Sequence, residues 1–288
     1  MTIKFSVIIP SCEEENTTNL GKIISKEHIK GFSLEKIIVV ESNFARKFDF
    51  DNPKIMVIKE KTRKGKAAAI NAALKKIKSE IIIVESSDTI PKKRTFEKLL
   101  KPFRDEEVGV TTGRAIPLNS KKNFLGFLTH IIWFLHHLIS LEKTKCGEII
   151  AFRSDLRKIP SKVATDESYV ESFFYKKNYK IVYVSSAIVN NYGIENLSYI
   201  IGQRKRYFVG HLHIKKEYGY SVSTLSLKRI FKALFKYFRV ESIRNYKEIA
   251  WIFGALFIEA FARILAGIEF YLLRKTPYKW EIVRVRKP

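Results

Sequence analysis

Apolar residues fall in short, dense runs through the first ninety positions: FSVII at 5–9, KIIVVE at 36–41, KIMVI at 54–58 and EIIIVE at 80–85. Runs this short and nearly all apolar predict strands buried on both faces. Between them the period changes. Leu20, Ile23 and Ile24 recur at helical spacing, and KGKAAAINAALKKIKS (64–79) predicts an Ala- and Lys-rich helix with its apolar residues on one stripe. Strands alternating with helices predict an α/β fold with a parallel sheet covered on both faces.

The second half is less regular. VGVTTGR (108–114), GEIIAFR (147–153) and KIVYV (180–184) predict further strands, with a helix over DESYVESFFYKKN (166–178) between the last two. ENLSYIIGQRKRYFVGHL (195–212) reads as helical, and NFLGFLTHIIWFLHHLISL (123–141) carries no formal charge. Two more helices fill the tail. No internal repeat or low-complexity linker interrupts the chain.

In sheets of this kind ligands bind outside the carboxyl ends of the strands. Three loops then meet: Ser11–Glu14, Glu41–Asn43 and Glu85–Asp88. A dinucleotide site needs Gly-rich backbone against a pyrophosphate, whereas the first turn here is Ser11-Cys12-Glu13-Glu14-Glu15, whose acids repel phosphate. The same turn argues against a nucleotidyltransferase. Acidic loop ends suit ribose hydroxyls, a base edge, or a divalent cation that in turn holds a diphosphate. Glu13–Glu15 also read as a solvated helix start favoured by the macrodipole. Asp88, at a strand end and flanked by hydroxyls, has less structural reason to be there.

Composition adds a partner. Among 288 residues, 53 Lys and Arg against 29 Asp and Glu give a formal charge of +24, which calls for an acidic partner. The basic residues gather on an amphipathic tail rather than on a helix-turn-helix or similar motif, so no nucleic-acid partner is expected. Cys12 and Cys146 form no disulfide framework and fit a reducing compartment. MTIKFSVIIP lacks the features of a signal peptide, which places the body of the protein in the cytosol.

SVIIPSCEE (6–14), KIIVVES (36–42), KGKAAAIN (64–71), IIIVESSDTIP (81–91) and QRKRY (203–207), in that order, resemble the family 2 glycosyltransferases of the GT-A fold over about residues 4–212. The resemblance implies a Rossmann-like, mostly parallel sheet flanked by helices. It implies transfer of a sugar from a nucleotide-diphosphate sugar (a UDP- or GDP-sugar) to an acceptor hydroxyl, with inversion at the anomeric carbon. It puts Pro10, Glu13, Glu41, Lys66, Asn71, Ser86, Asp88, Gln203, Arg206 and Tyr207 at the donor, and makes Asp88 the ligand of Mg²⁺ or Mn²⁺ on the diphosphate. The base falls on Glu167, with Asp166 as its near equal; read without the resemblance, these acids cap a helix.

The chain departs from the family pattern. Ser86 replaces the first Asp of Asp-x-Asp, the acid-rich turn after the second strand is reduced to Glu41-Ser42, and Gln-x-x-Arg-Trp ends in Tyr207. One carboxylate fewer predicts weaker metal binding, compensated by basic side chains. The departure at Ser86 also motivates a rival reading, a catalytically impaired nucleotide-sugar-binding protein. On a helix Arg204 and Arg206 diverge by about 200°, so Arg206 is assigned to the diphosphate and Arg204 to the surface. His211 and His213 are weaker candidates, as metal ligands. Lys64 joins Lys66 as a lysine expected near the donor.

The tail points to a membrane. SLKRIFKALFKYFR (226–239) sets Leu227, Ile230, Phe231, Leu234, Phe235 and Phe238 on one face and basic residues on the rest, as in helices that lie on anionic bilayers. Residues 249–273 reach about 37 Å as a helix, long enough to cross, but carry Glu259, Arg263 and Glu269. Glu259 and Arg263 stand at i, i+4 and are expected to pair. Both flanks are basic, so an interfacial or re-entrant helix is favoured over a single span. The expected organisation is a GT-A domain over 1–218 and a membrane-associated helical tail over 219–288, on the cytoplasmic face of the cell membrane. A lipid-linked or glycan acceptor follows from that location.

Overall fold

The computed structural model describes residues 2–12, 17, 24, 28–42, 48, 50, 52–240 and 246–275. Eight strands form one sheet: β1 (Ile3–Ser11), β2 (Phe32–Glu41), β3 (Ile55–Lys59), β4 (Ile81–Glu85), β5 (Thr89–Pro91), β6 (Val108–Pro117), β7 (Ile149–Arg153) and β8 (Lys180–Asn191). Their order is β3-β2-β1-β4-β7-β6-β8-β5. The first four in that order are parallel, as the apolar runs predict. β7 then runs antiparallel to both β4 and β6, while β6 and β8 are parallel and β5 is antiparallel to β8.

That reversal matters for the site. β7 pairs Ile149 with Glu85 and Ile150 with Val84, so the residue entering β7 arrives where β4 ends. Glu148 therefore joins Ser86 at the carboxyl edge, and the Ser86 hydroxyl donates to the Glu148 carbonyl at 3.4 Å.

Alternation along the strands divides the core into two layers. Ile8, Ile38, Ile82 and Val84 pack on one face with helix α1 (Lys66–Leu74). Val7, Ile9, Ile37, Val39, Ile81 and Ile83 pack on the other with helix α2 (Thr95–Leu100). Gly65, at φ 98°, opens α1 in a conformation disfavoured for other residues and sets Lys66 as its first residue. The helix is shorter than the 64–79 pattern suggests. The helix expected around Leu20 and Ile23, and the acids Glu13–Glu15, lie outside the described residues.

The remaining helices are α3 (Phe124–Glu142), α4 (Asp166–Lys176), α5 (Leu197–Tyr218), α6 (Leu227–Val240) and α7 (Tyr246–Gly267), the last continued by a π-helical turn over Ile268–Leu272. Asn123 caps α3 by accepting from Gly126 N at 2.8 Å, and Asn196 caps α5 by accepting from Tyr199 N at 3.2 Å. Helices α3, α6 and α7 share an apolar core that includes Phe127, Ile131, Leu234, Tyr237, Ile252 and Ile258.

Helix α7 is two-faced in an unusual sense. Ile252, Ala255, Ile258, Ala262 and Ala266 are buried against the protein. Phe253, Phe257, Phe261, Ile264 and Ile268 form an exposed apolar stripe, with Phe257 72% exposed. Its charges turn inward. Arg204 of α5 grips Glu259 with two hydrogen bonds of 2.9 and 3.0 Å, Arg263 meets the same carboxylate at 3.3 Å, and Lys205 pairs with Glu269. The expected Glu259–Arg263 pair forms, and Arg204 is not the surface charge its sequence position suggested. In α6 the apolar face splits, Leu234 and Tyr237 turning into the core while Phe231, Phe235 and Phe238 stay exposed.

Close approach fixes α5 against the loop before α4. A Cβ on Gly210 would stand 2.7 Å from Thr165 Cγ2, and Thr165 is itself buried and stiff at χ1. Gly210→Ala is expected to lower stability by about 1–3 kcal/mol, read as a drop in the urea midpoint without a change in slope.

Candidate active site

The strand ends, the loop before β7, the start of α4 and the cavity-facing side of α5 enclose one cavity of about 770 Å³. Pro10, Ser11, Cys12, Ser42, Lys66, Ser86, Ser87 and Asp88 line it from the sheet side. Glu148 and Glu167 stand beside them, and Gln203, Arg206, Tyr207 and His211 come from α5. Most residues assigned from the sequence are thus brought together.

Two are not. Glu41 is buried beneath the rim, where its carboxylate accepts from the Ser11 hydroxyl at 2.8 Å, and Ser11 and Ser42 form the wall above it. Asn71 faces away from the cavity: its amide nitrogen donates to the Ile159 carbonyl at 2.6 Å and its oxygen accepts from Ile159 N at 2.8 Å. These contacts make Asn71 a tie between α1 and the 156–163 segment rather than a donor contact. Glu13 lies outside the described residues. His213 does not reach the cavity and packs on the Tyr218 ring, with centroids 6.2 Å apart.

Glu85 turns inward, as neighbours on a strand must alternate. It accepts from the Thr89 hydroxyl, and burial, abetted by the charges of Glu148 and Asp88, pushes its carboxyl up to about 8. It is therefore a neutral structural group. Asp88 is exposed at the turn closed by Thr89 N to Ser86 O at 3.2 Å.

Glu148 had no role in the sequence reading. Burial, then the neighbouring charge of Asp88, pushes its carboxyl up to about 8. Two acids whose charges oppose one another in this way suit a divalent cation, which relieves their repulsion. Among the described residues no three His, Cys, Asp or Glu converge as a ready-made metal cage. Asp88 and Glu148 are thus the residues that would hold a Mg²⁺ or Mn²⁺ ion here. The signal for Glu148 was an acid directly before a strand, invisible as a site residue until that strand's direction was known.

Lys66 sits at the centre of the charges. Burial works against its ammonium, but Asp166, Glu167, Glu148 and Asp88 outweigh that and hold it above its ordinary range. Its Nζ is 3.5 Å from Asp166 Oδ2. Asp166 is buried off the cavity wall, whereas Glu167 lines it. Burial pushes Glu167 up to about 7, with Lys145 opposing the shift and Asp166 adding to it. Lys145 Nζ stands 3.9 Å from Glu167 and 3.2 Å from Glu171, and donates to the Cys146 carbonyl at 2.6 Å. Tyr207 faces the same acids: burial, then Glu148 and Glu167, hold its phenol well above its usual range.

The cavity therefore brings together two acids that would hold a cation, a guanidinium, and one carboxyl poised near neutrality. A model of glycosyl transferase family 2 matches residues 6–165. No curated protein matches the chain. Among solved structures, the chain is similar to the mannosyltransferase PcManGT from Pyrobaculum calidifontis in complex with GDP-Man and Mn²⁺. The TM-score is 0.61 at 16% identity, over 96% of this chain and 89% of that one. It is also similar to glucosyl-3-phosphoglycerate synthase from Mycobacterium tuberculosis in complex with phosphoglyceric acid, at TM-score 0.50 and 13% identity, over 75% of this chain and 80% of that one. These likenesses agree with the GT-A architecture, a mixed sheet whose carboxyl edge carries the cavity. Because the family model spans more than half of the chain, the protein belongs to glycosyl transferase family 2 and is a glycosyltransferase.

Proposed function

We propose that the protein is an inverting glycosyltransferase that moves a sugar from a UDP- or GDP-sugar to a lipid-linked acceptor at the cytoplasmic face of a membrane. The observation that carries this reading is the convergence of Asp88, Glu148, Lys66, Glu167 and Arg206 on one cavity. Residues 1–218 form the catalytic unit and 219–288 the membrane-associated tail.

Glu167, rather than Asp166, acts as base, because it is the one of the pair on the cavity wall. Held near 7, it is part carboxylate at neutral pH and accepts the proton of the acceptor hydroxyl. The hydroxyl oxygen bonds to the anomeric carbon from the face opposite the diphosphate, and the carbon–oxygen bond to the diphosphate breaks with its electron pair. Asp88 and Glu148 would hold a Mg²⁺ or Mn²⁺ ion, which would supply positive charge to the diphosphate. Arg206 supplies a forked cation to the same oxygens. Pro10, Ser86, Gln203 and Tyr207 shape the donor side of the wall. Lys66 holds Asp166 and keeps the acids from repelling one another apart.

The tail supports the membrane side of the reading. Two helices, Phe124–Glu142 and Tyr246–Leu272, are long and apolar enough to cross a bilayer, by length and composition. The first has one face in the core it shares with α6 and α7. The second turns Glu259 and Glu269 toward α5 and Phe253, Phe257 and Phe261 outward, as an interfacial helix does. Phe231, Phe235 and Phe238 of α6 add a second exposed stripe beside Lys228, Lys232 and Lys236.

Asp88→Asn and Glu167→Gln are each expected to cut turnover about 10²-fold or more while leaving the circular dichroism spectrum unchanged. A panel of nucleotide sugars with Mn²⁺ and lipid extract measures this, and near-normal rates in both variants would remove the assignment. The rate is expected to rise as pH climbs through about 7, because Glu167 is protonated and idle below that value and a carboxylate above it. A profile flat from pH 5.5 to 8 would speak against Glu167. Finally, the protein is expected to co-sediment with phosphatidylglycerol liposomes, less at high salt, and to lose most of that binding in a Phe231→Ser, Phe257→Ser double variant.

A further inference from the structure

The cavity continues past the acids. Beyond Tyr207 it runs between α3, α5, α6 and α7, where Ile131, Leu135, Ile230, Ile252 and Leu256 form its wall. Tyr207 marks the boundary. Its phenol senses Glu148 and Glu167, while its ring centroid lies 5.9 Å from Arg204 Cζ and 6.5 Å from the His211 ring.

This apolar stretch contains a concentration of positive charge. Arg204 and Arg263 share the single carboxylate of Glu259, so one cationic charge is left over. Arg263 also donates to the Thr224 carbonyl at 3.0 Å and stacks on Phe208 with Cζ 3.9 Å from the ring centroid. Its contacts with Glu259 and Thr224 run through one terminal nitrogen, and a guanidinium has five N–H donors. All three of Arg204, Glu259 and Arg263 line the cavity.

His211 is the second, independent observation. It lines the cavity, is only 6% exposed, and has both ring nitrogens buried without a hydrogen-bond partner among the described residues. A neutral imidazole has one donor and one acceptor, and leaving both unmade in a buried place is costly. Burial, then the charges of Lys145, Arg204 and Arg263, holds the ring well below its usual range. The strongest charges on it are thus cationic. A buried, unbonded N–H in a positive, apolar-walled chamber is the environment an anion completes.

We infer that Arg204, His211 and Arg263 form a phosphate subsite for the acceptor, holding the phosphate that joins a sugar to its lipid chain while the chain lies between α3, α6 and α7. This rests on the glycosyltransferase reading above. The phosphate acts as a handle, and the hydroxyl on the attached sugar is the group presented to Glu167. A soluble phosphate ester would share the anion chemistry but not the apolar wall. The wall belongs to the inner faces of the helices whose outer faces carry the exposed Phe stripes, so a lipid chain passes from the chamber towards the proposed bilayer surface.

The test is equilibrium binding of radiolabelled farnesyl phosphate to the full chain in nonionic detergent, with farnesol and inorganic phosphate as competitors. Farnesyl phosphate is expected to bind at least about ten-fold more tightly than farnesol, and inorganic phosphate to compete only at far higher concentration. His211→Leu removes no hydrogen bond among the described residues, so it is expected to fold with an unchanged or raised thermal midpoint. It is expected to bind farnesyl phosphate about ten-fold more weakly, with little change for farnesol. Arg263→Lys keeps a charge beside Glu259 but loses the fork, and is expected to weaken the same ligand similarly. GDP or UDP with Mn²⁺ is expected to bind both variants as it binds the wild type and not to displace farnesyl phosphate. Equal binding of farnesol and farnesyl phosphate, or undiminished affinity in both variants, overturns the subsite. Inorganic phosphate competing as well as the lipid overturns the lipid source, and displacement by the nucleotide overturns a subsite separate from the donor's. If neither nucleotide binds the wild type with Mn²⁺, the donor reading fails instead, whatever farnesyl phosphate does.

Discussion

One ammonium group balances the cavity. Lys66 stands among Asp88, Glu148, Asp166 and Glu167, four acids drawn from three different parts of the chain. Carboxylates brought this close repel, and burial sharpens the repulsion, which a cation between them or a proton on one of them relieves. The fold supplies the permanent one by starting α1 at Gly65 with a left-handed turn, which makes Lys66 its first residue. A divalent ion on Asp88 and Glu148 would be the temporary one, arriving with the diphosphate it serves.

The same balance sets the chemistry. Lys145 holds Glu171 and stands near Glu167, and its opposition to the desolvation of Glu167 keeps that carboxyl near neutrality instead of far above it. Glu85, one position before Ser86, takes a structural part: burial, with the charges of Glu148 and Asp88, outweighs the Thr89 hydroxyl and the Lys66 ammonium, and its carboxyl is hydrogen-bonded to Thr89. Two buried glutamates thus take different roles according to which of them reaches the cavity wall.

Helix α5 joins this centre to the tail. Gln203, Arg206 and Tyr207 face the cavity, while Arg204 and Lys205 reach Glu259 and Glu269 of the last helical segment. Helix α7 turns Glu259 toward α5, and Glu269 in the π-helical turn that follows it pairs with Lys205. Its outer face is left to Phe253, Phe257 and Phe261, so Arg204 is held on the inner side of a helix whose outer side is apolar.

The strands FSVII, KIIVVE and EIIIVE, the Ala-rich helix and the basic Phe-rich tail were legible because each rests on local periodicity, which burial on one or two faces imposes directly. The edge of the sheet carrying Ser86 and Asp88 followed from the rule that parallel strands open their site at the carboxyl end. Glu148, Lys145 and the burial of Arg204 were not legible, since each depends on a partner far away in sequence. β7 had to run antiparallel before Glu148 could meet Asp88, and α7 had to fold back before Arg204 had a carboxylate to hold. Glu41 and Asn71 were misplaced for the same reason: the sequence shows a polar residue at a strand or helix position, but only packing decides whether it faces ligand or ties two backbones together. The sequence by itself determined the elements, their amphipathic faces and the excess of positive charge, because these are properties of neighbours along the chain. The direction of β7, the sharing of one lysine among four acids and the inward turn of the tail's charges were decided by tertiary structure, because electrostatic energy depends on distance through space.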